Sequence, residues 1–179
     1  MKRLIMCEGP NELGIMRILL ENDKLIFGED DLIGLAPYHA RQIGNNGQVK
    51  TQLNMYPGND VLVMRVGDIL NETLKIPYEY KDKIIRVEKY CTKPELEMLL
   101  IISEELTDEF EKNKSSITPK EFAKHRIRCG KKKYNNSTQF YMDYYGSNPN
   151  ALVHAIKEYK RIKGTHKKGE LYLADLLKN

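Results

Sequence analysis

Apolar and polar residues follow two different periods along this chain, and each change of period marks an element. Leu4, Ile5, Met6 and Cys7 form a short continuous apolar run behind Lys2 and Arg3, and the run stops at Glu8-Gly9-Pro10. That pattern predicts a buried strand. Leu13, Met16, Leu19 and Leu20 then recur on one helical stripe, with Pro10 in the first turn, where a missing N–H costs nothing. The helix is expected to end near Asn22-Asp23. A strand, a tight turn and a helix in this order begin an α/β fold.

Residues 24–46 hold two short apolar runs, Leu25-Ile26-Phe27 and Leu32-Ile33-Gly34-Leu35, one of which is expected to be a strand. Residues 48–56 suit a short helix, and Pro57-Gly58-Asn59-Asp60 suits a turn. Residues 61–66 alternate too little for a half-exposed strand and predict a buried parallel one that ends at Gly67-Asp68. Ile84-Ile85-Arg86-Val87 predicts another strand, and Pro94 the start of a helix running to about Phe110 with Leu96, Leu99, Leu100 and Ile102 inward. Thr118-Pro119-Lys120-Glu121 reads as a capping box with proline at the first helical position. Asn148-Pro149 opens a helix expected to end at Gly164, and residues 171–177 suit a short final helix. The expected architecture is therefore α/β, with a parallel sheet of about four strands flanked by helices over residues 1–110. Residues 111–179 are expected to form a basic helical extension packed on it, since 69 residues make a marginal core alone.

Composition agrees with a folded chain. Of 179 residues, 41% are hydrophobic and 30% charged, which supplies apolar surface for a core and excludes the composition of a disordered chain. The longest apolar run, residues 98–102, is far below the roughly 18 residues of a membrane span. The four apolar residues before Glu8 are too few for the centre of a secretory signal, so a cytoplasmic protein is expected. Cys7, Cys91 and Cys129 are odd in number and lack CxxC spacing, which argues against a disulfide framework or a zinc cluster.

Charge is segregated. Residues 1–110 carry 13 Lys/Arg against 19 Asp/Glu, a net of −6, and residues 111–179 carry 16 against 6, a net of +10. An acidic first part can gather metal ions and a basic second part can hold a polyanion such as nucleic acid, or the two can attract each other within one fold.

Glu8 ends the first predicted strand and Glu12 lies in the first turn of the helix, so the chain reversal brings both toward the C-terminal edge of the sheet, where ligands bind in open α/β folds. Asp68 follows the strand at residues 61–66 and reaches the same edge. Three such oxygen donors suit Mg²⁺ (or Mn²⁺), although Glu12 equally suits a helix N-terminal charge. Lys124, His125, Arg126, Arg128, Lys131, Lys132 and Lys133 fall within ten residues without an acid, interrupted at Cys129-Gly130. Arg126, Arg128, Lys131, Lys132 and Lys133 are candidate phosphate contacts, and the eleven tyrosines are candidate stacking platforms for bases. A second cluster, Lys157, Lys160, Arg161, Lys163, His166, Lys167 and Lys168, is read as a solvated helical face, and His39, beside Pro37 and Tyr38, as a packing residue.

The segment Leu4-Ile5-Met6-Cys7-Glu8-Gly9-Pro10-Asn11-Glu12 resembles the opening of TOPRIM domains, whose first strand ends in a metal-binding glutamate followed by glycine. More narrowly it is similar to the RloB-like and OLD-type TOPRIM nucleases of bacterial antiviral defence. Thr92-Lys93-Pro94-Glu95-Leu96-Glu97-Met98-Leu99-Leu100 is similar to the RloB-like pattern of a proline, two residues and a glutamate opening an apolar helix. The resemblance implies a Rossmann-like TOPRIM sheet, metal-dependent hydrolysis of phosphodiesters in nucleic acid, and an ATPase partner. Lys93 and Glu97 reach the same sheet edge from the start of their helix, Lys93 as a nucleic-acid contact and Glu97 as a base, with a helix-face charge as the plainer reading of Glu97. TOPRIM domains end a later strand with Asp-x-Asp, whereas Arg65-Val66-Gly67-Asp68 supplies one acid. Arg65 in an acid's place opposes a dication, and Glu72 is the nearest substitute ligand. A catalytically impaired module that binds nucleic acid or a partner ATPase is therefore the alternative to a nuclease. The sequence leaves the oligomeric state open.

Overall fold

The computed structural model describes residues 1–68, 72–92, 96–163 and 167–179. β1 (Lys2–Cys7) leads through Glu8 and Gly9 into α1 (Pro10–Glu21), with proline in its first turn. β2 (Tyr38–His39) and α2 (Gly47–Met55) follow, then β3 (Val61–Gly67) and β4 (Ile84–Cys91). Next come α3 (Glu97–Ser103), α4 (Thr107–Asn113) and α5 (Pro119–Arg126). An antiparallel hairpin of β5 (Arg128–Cys129) and β6 (Lys132–Lys133) precedes α6 (Thr138–Tyr145), α7 (Pro149–Lys163) and β7 (Glu170–Tyr172).

One sheet carries five strands in the order β2-β1-β3-β4-β7, every neighbouring pair parallel. β3, in the middle, is buried along its whole length, as its unalternating sequence requires. Alternation across the sheet feeds two cores. Ile5, Cys7, Leu62, Met64 and Val66 face α1, α3, α6 and α7 in the larger one, which also takes Phe110, Phe122, Leu173 and Leu176. Leu4, Met6, Val61 and Val63 face the smaller one, closed by Ile43, Val49, Leu53 and Tyr80.

Several expectations need correction. The sheet has five strands, not about four. Neither apolar run in residues 24–46 is a strand; each makes only an isolated bridge, Leu32 with Arg3 and Leu25 with Leu177, and the strand of that region is β2 at Tyr38–His39. Residues 171–177 are not a helix: β7 is followed by a 3-10 turn at Leu173–Leu176. The helix expected to run to Phe110 is two helices, because Glu105 takes a left-handed φ of 58° between α3 and α4. The capping box at Thr118 forms as expected, with the Thr118 hydroxyl accepting from the Glu121 N–H and the Glu121 carboxylate accepting from the Thr118 N–H.

Residues 111–179 do not lie on a finished domain. β7 pairs with β4, the Ile26 N–H donates to the Leu176 carbonyl at 2.9 Å, and Leu176 is buried among residues from both parts of the chain. Unfolding in urea is expected to show one transition by fluorescence and circular dichroism alike. Leu176→Ala should shift that whole transition by about 2–5 kcal/mol, the cost of a cavity at a core leucine. Two separated transitions would mark the C-terminal part as an independent unit.

Candidate functional site

Parallel register builds the site. Cys7 pairs with Val66 and Gly67 with Cys91, so Glu8, Asp68 and Thr92 leave three adjacent strands side by side. The ladder continues one step past the strands: the Glu8 N–H donates to the Val66 carbonyl at 2.8 Å and the Thr92 N–H to the Gly67 carbonyl at 3.0 Å. The chain leaves β1 toward β2 on one side and comes back to β3 on the other. Such a reversal opens a crevice at the carboxyl ends of the two strands. Here it holds a polar cleft of about 230 Å³, walled by Glu12, Asp68 and Glu97 and completed by Asn11, Thr92, Lys120 and Asn136.

Two glycines let carboxylates fold against backbone. A Cβ on Gly9 would stand 2.6 Å from Glu12 Oε2, and one on Gly67 would collide with the Glu8 side chain. Glu12 thus lies back over the start of α1, where its own N–H holds down its pKa. The opposing effects are larger. Burial first, and then the charges of Asp68, Glu8 and Glu97, push the Glu12 carboxyl above the ordinary carboxylate range. The helix N-terminal role and the site role of Glu12 coexist in one geometry.

Glu97, in the first turn of α3, is only 5% exposed. A buried carboxylate has to be hydrogen-bonded, and here it accepts the Tyr134 hydroxyl. Tyr134 lies 3.2 Å from the Tyr141 hydroxyl and 3.1 Å from Asn136 Oδ1, which also accepts from Asn11 Nδ2 at 3.0 Å. The Tyr141 hydroxyl is raised far above its usual range by burial and, next, by the Glu97 charge. Thr92 Oγ1 is buried with no hydrogen-bond partner among the described residues, a state that costs about 1–3 kcal/mol.

Of the four predicted acids, Glu12, Asp68 and Glu97 wall the cleft, and Glu8 stands beside it with Oε1 3.7 Å from Arg41. Lys93 lies outside the described residues. Arg65 does not wall the cleft: it is buried on β3 opposite Met6, and its guanidinium donates to the Glu72 carbonyl. Nor does Glu72, whose carboxylate accepts from Gln42 Nε2 at 2.8 Å. Among the described residues no group of three His, Cys, Asp or Glu side chains forms a ready metal cage. The donor set is all carboxylate oxygen, with Glu12 under the charges of its acidic neighbours, which fits a hard cation such as Mg²⁺ that binds through one or two carboxylates and keeps several waters.

The basic cluster divides. Arg126 pairs with Glu109 at 2.6 Å and Lys132 with Asp143 at 2.8 Å, while Arg128, Lys131 and Lys133 are exposed on the hairpin with no ion pair among the described residues. In the second cluster Lys160 pairs with Asp175 and Arg161 with Glu158. Tyr80, Tyr90, Tyr134, Tyr141, Tyr145 and Tyr159 are buried, which removes six of the eleven tyrosines as stacking platforms. His39 is exposed on β2, not packed. Sequence reasoning missed Asn11, Thr92, Lys120 and Asn136. Asn11 and Thr92 stand in the two segments that carry the resemblance and Lys120 in the Thr118 capping box, while Asn136 carries no signal. Among the described residues no helix is long and apolar enough to cross a membrane. The chain matches no family model, no curated protein and no solved structure.

Because the Glu12 carboxyl is raised in the fold, its contribution to stability is present below the unfolded carboxylate pKa and is lost as pH rises through the folded value. Glu12→Gln should therefore raise stability at pH 7, by roughly 0.5–2 kcal/mol. The gain should vanish below about pH 4. Thermal melts of both proteins across pH 3–8 check this, and an unchanged or lower melting temperature for the variant at pH 7 refutes it.

Proposed function

We propose that this chain is a divalent-metal-dependent phosphodiesterase acting on nucleic acid, a TOPRIM-like nuclease in which Glu97 joins Glu12 and Asp68 where the second acid of Asp-x-Asp is missing. One observation carries the reading: three carboxylates from separate elements meet in one polar cleft at the reversal point of a parallel sheet. The departure of Arg65 from that cleft removes the repulsion that its sequence position suggested. In this reading Glu12 and Asp68, with Glu8 beside them, hold Mg²⁺ or Mn²⁺, and Glu97 takes the proton of the attacking water. The chemistry supplied by the bound ion is neutralisation of charge on phosphate oxygens and acidification of water. Arg128, Lys131 and Lys133 grip the polyanion. The ATPase partner, the role in antiviral defence and the cytoplasmic location belong to the same proposal and rest on the resemblance.

A second reading, a module that binds nucleic acid or a partner without cutting, is favoured by the lack of a ready three-ligand cage among the described residues. Cleavage assays with Mg²⁺ and Mn²⁺ on single- and double-stranded DNA and RNA separate the two. Asp68→Asn should lower divalent-dependent cleavage by about 100-fold or more, with the fold retained. Wild-type protein that binds these polymers and cuts none of them decides for the module.

Binding itself has a separate signature. Changing Lys131 and Lys133 to Ala should lower the slope of log affinity against log salt by about 0.9 for each duplex phosphate that is no longer neutralised. Lys132→Ala alone should change it little, since that ammonium is already paired with Asp143. An unaltered slope in the double variant would make the hairpin an ordinary solvated surface.

A further inference from the structure

Lys120 is a cation set into a wall of acids. It is the second residue of α5, held there by the Thr118–Glu121 capping box and by Phe122 and Ala123, which are buried in the larger core. Its side chain is half-buried and lines the same cleft as Glu12, Asp68 and Glu97. Yet it makes no ion pair among the described residues, where a purely structural lysine in that position would be expected to clasp one of the three. Thr92 also lines the cleft, 93% buried (7% exposed), with a hydroxyl that no described residue satisfies. Two groups that donate hydrogen bonds and lack acceptors among the described residues thus share one small space.

We propose that Lys120 and Thr92 form a seat for a single phosphate group, filled only together with a divalent cation. The charge count requires the pairing. Among the described residues three carboxylates and one ammonium give the walls a net charge of −2, which repels an anion until one dication balances it. A phosphate then lies between the cation on the carboxylate side and Lys120 on the other, with the Thr92 hydroxyl donating to one of its oxygens. At about 230 Å³ the cleft is smaller than the roughly 300–1,000 Å³ of pockets that enclose whole ligands. It therefore admits one phosphate of a polymer and leaves the sugar and base outside, so that recognition inside the cleft is blind to sequence. The proposal rests on the phosphodiesterase reading and adds to it the residues that hold the substrate.

The test uses the whole chain and two probes, Mg²⁺ alone by calorimetry and inorganic phosphate by ³¹P NMR titration with and without saturating Mg²⁺. Wild-type protein should take phosphate only when Mg²⁺ is present. Lys120→Ala should weaken phosphate binding by about tenfold or more, while Mg²⁺ binds as before or more tightly because a competing positive charge has gone. Thr92→Val, nearly isosteric and without a hydroxyl to satisfy, should fold at least as stably as the wild type and also weaken phosphate. If Mg²⁺ binds and phosphate affinity is the same in wild type and Lys120→Ala, the seat is overturned and the metal site stands. If wild-type protein binds no Mg²⁺, the phosphodiesterase reading and the seat fall together. Phosphate binding without Mg²⁺ also overturns the proposal.

Discussion

A carboxylate buried at the start of a helix has to be satisfied by donors, and in this protein meeting that need organises everything around the cleft. Glu97 takes the Tyr134 hydroxyl. Tyr134 draws in Tyr141 and Asn136, Asn136 accepts from Asn11, and Asn11 in turn accepts from Thr138 at 3.0 Å. One ionisable group thereby ties the first turns of α1 and α3 to the segment that connects the hairpin with α6. Stripping water from an isolated charge costs several kcal/mol, and only a well-donated carboxylate recovers that cost. The tyrosines of this region are accordingly core residues first: Tyr141 and Tyr145 are fully enclosed.

The opposite condition holds elsewhere in the same cleft. Burial and then three carboxylate neighbours raise the Glu12 pKa, against the hydrogen bond of its own backbone N–H. A fold selected only for stability would not gather Glu8, Glu12, Asp68 and Glu97 at one sheet edge. Strand register and two glycines make the gathering possible, and the like-charge repulsion that results is the kind of local cost found where a protein binds cations or does chemistry.

Much of the frame could be read from residue order, and the reasons differ by element. β1, β3 and α1 declare themselves because burial is continuous or periodic over four or more residues, and α5 because Thr118, Pro119 and Glu121 each satisfy a helix terminus. β2 and β7 are two and three residues long, too short for any period, and exist because a neighbouring strand offers an open ladder. The break at Glu105 falls on a residue with no turn signal of its own. The acids of the site were legible, since Glu8-Gly9 and Gly67-Asp68 stand at strand ends. Its other wall was not. Asn11, Thr92, Lys120 and Asn136 are ordinary polar residues until the fold sets them against the carboxylates. Arg65 misled because alternation along β3 sets it on the face of Val61 and Val63, opposite the face of Met64 and Val66 that meets α1 and α3.

The pairing of β7 with β4 also constrains how the chain can be made. Residues 170–178 leave the ribosome after every element they complete, and Lys178 closes back on Lys24 and Asp23, more than 150 positions earlier. Until they arrive, residues 89–91 of β4 have no partner on that side and the core lacks Leu173, Leu176 and Leu177. A nascent chain in that interval carries an unpaired strand edge beside uncovered apolar surface, the combination most prone to wrong association. The ion pair of Arg86 with Glu88, at 2.8 Å on the same strand, puts charge along that edge while it waits.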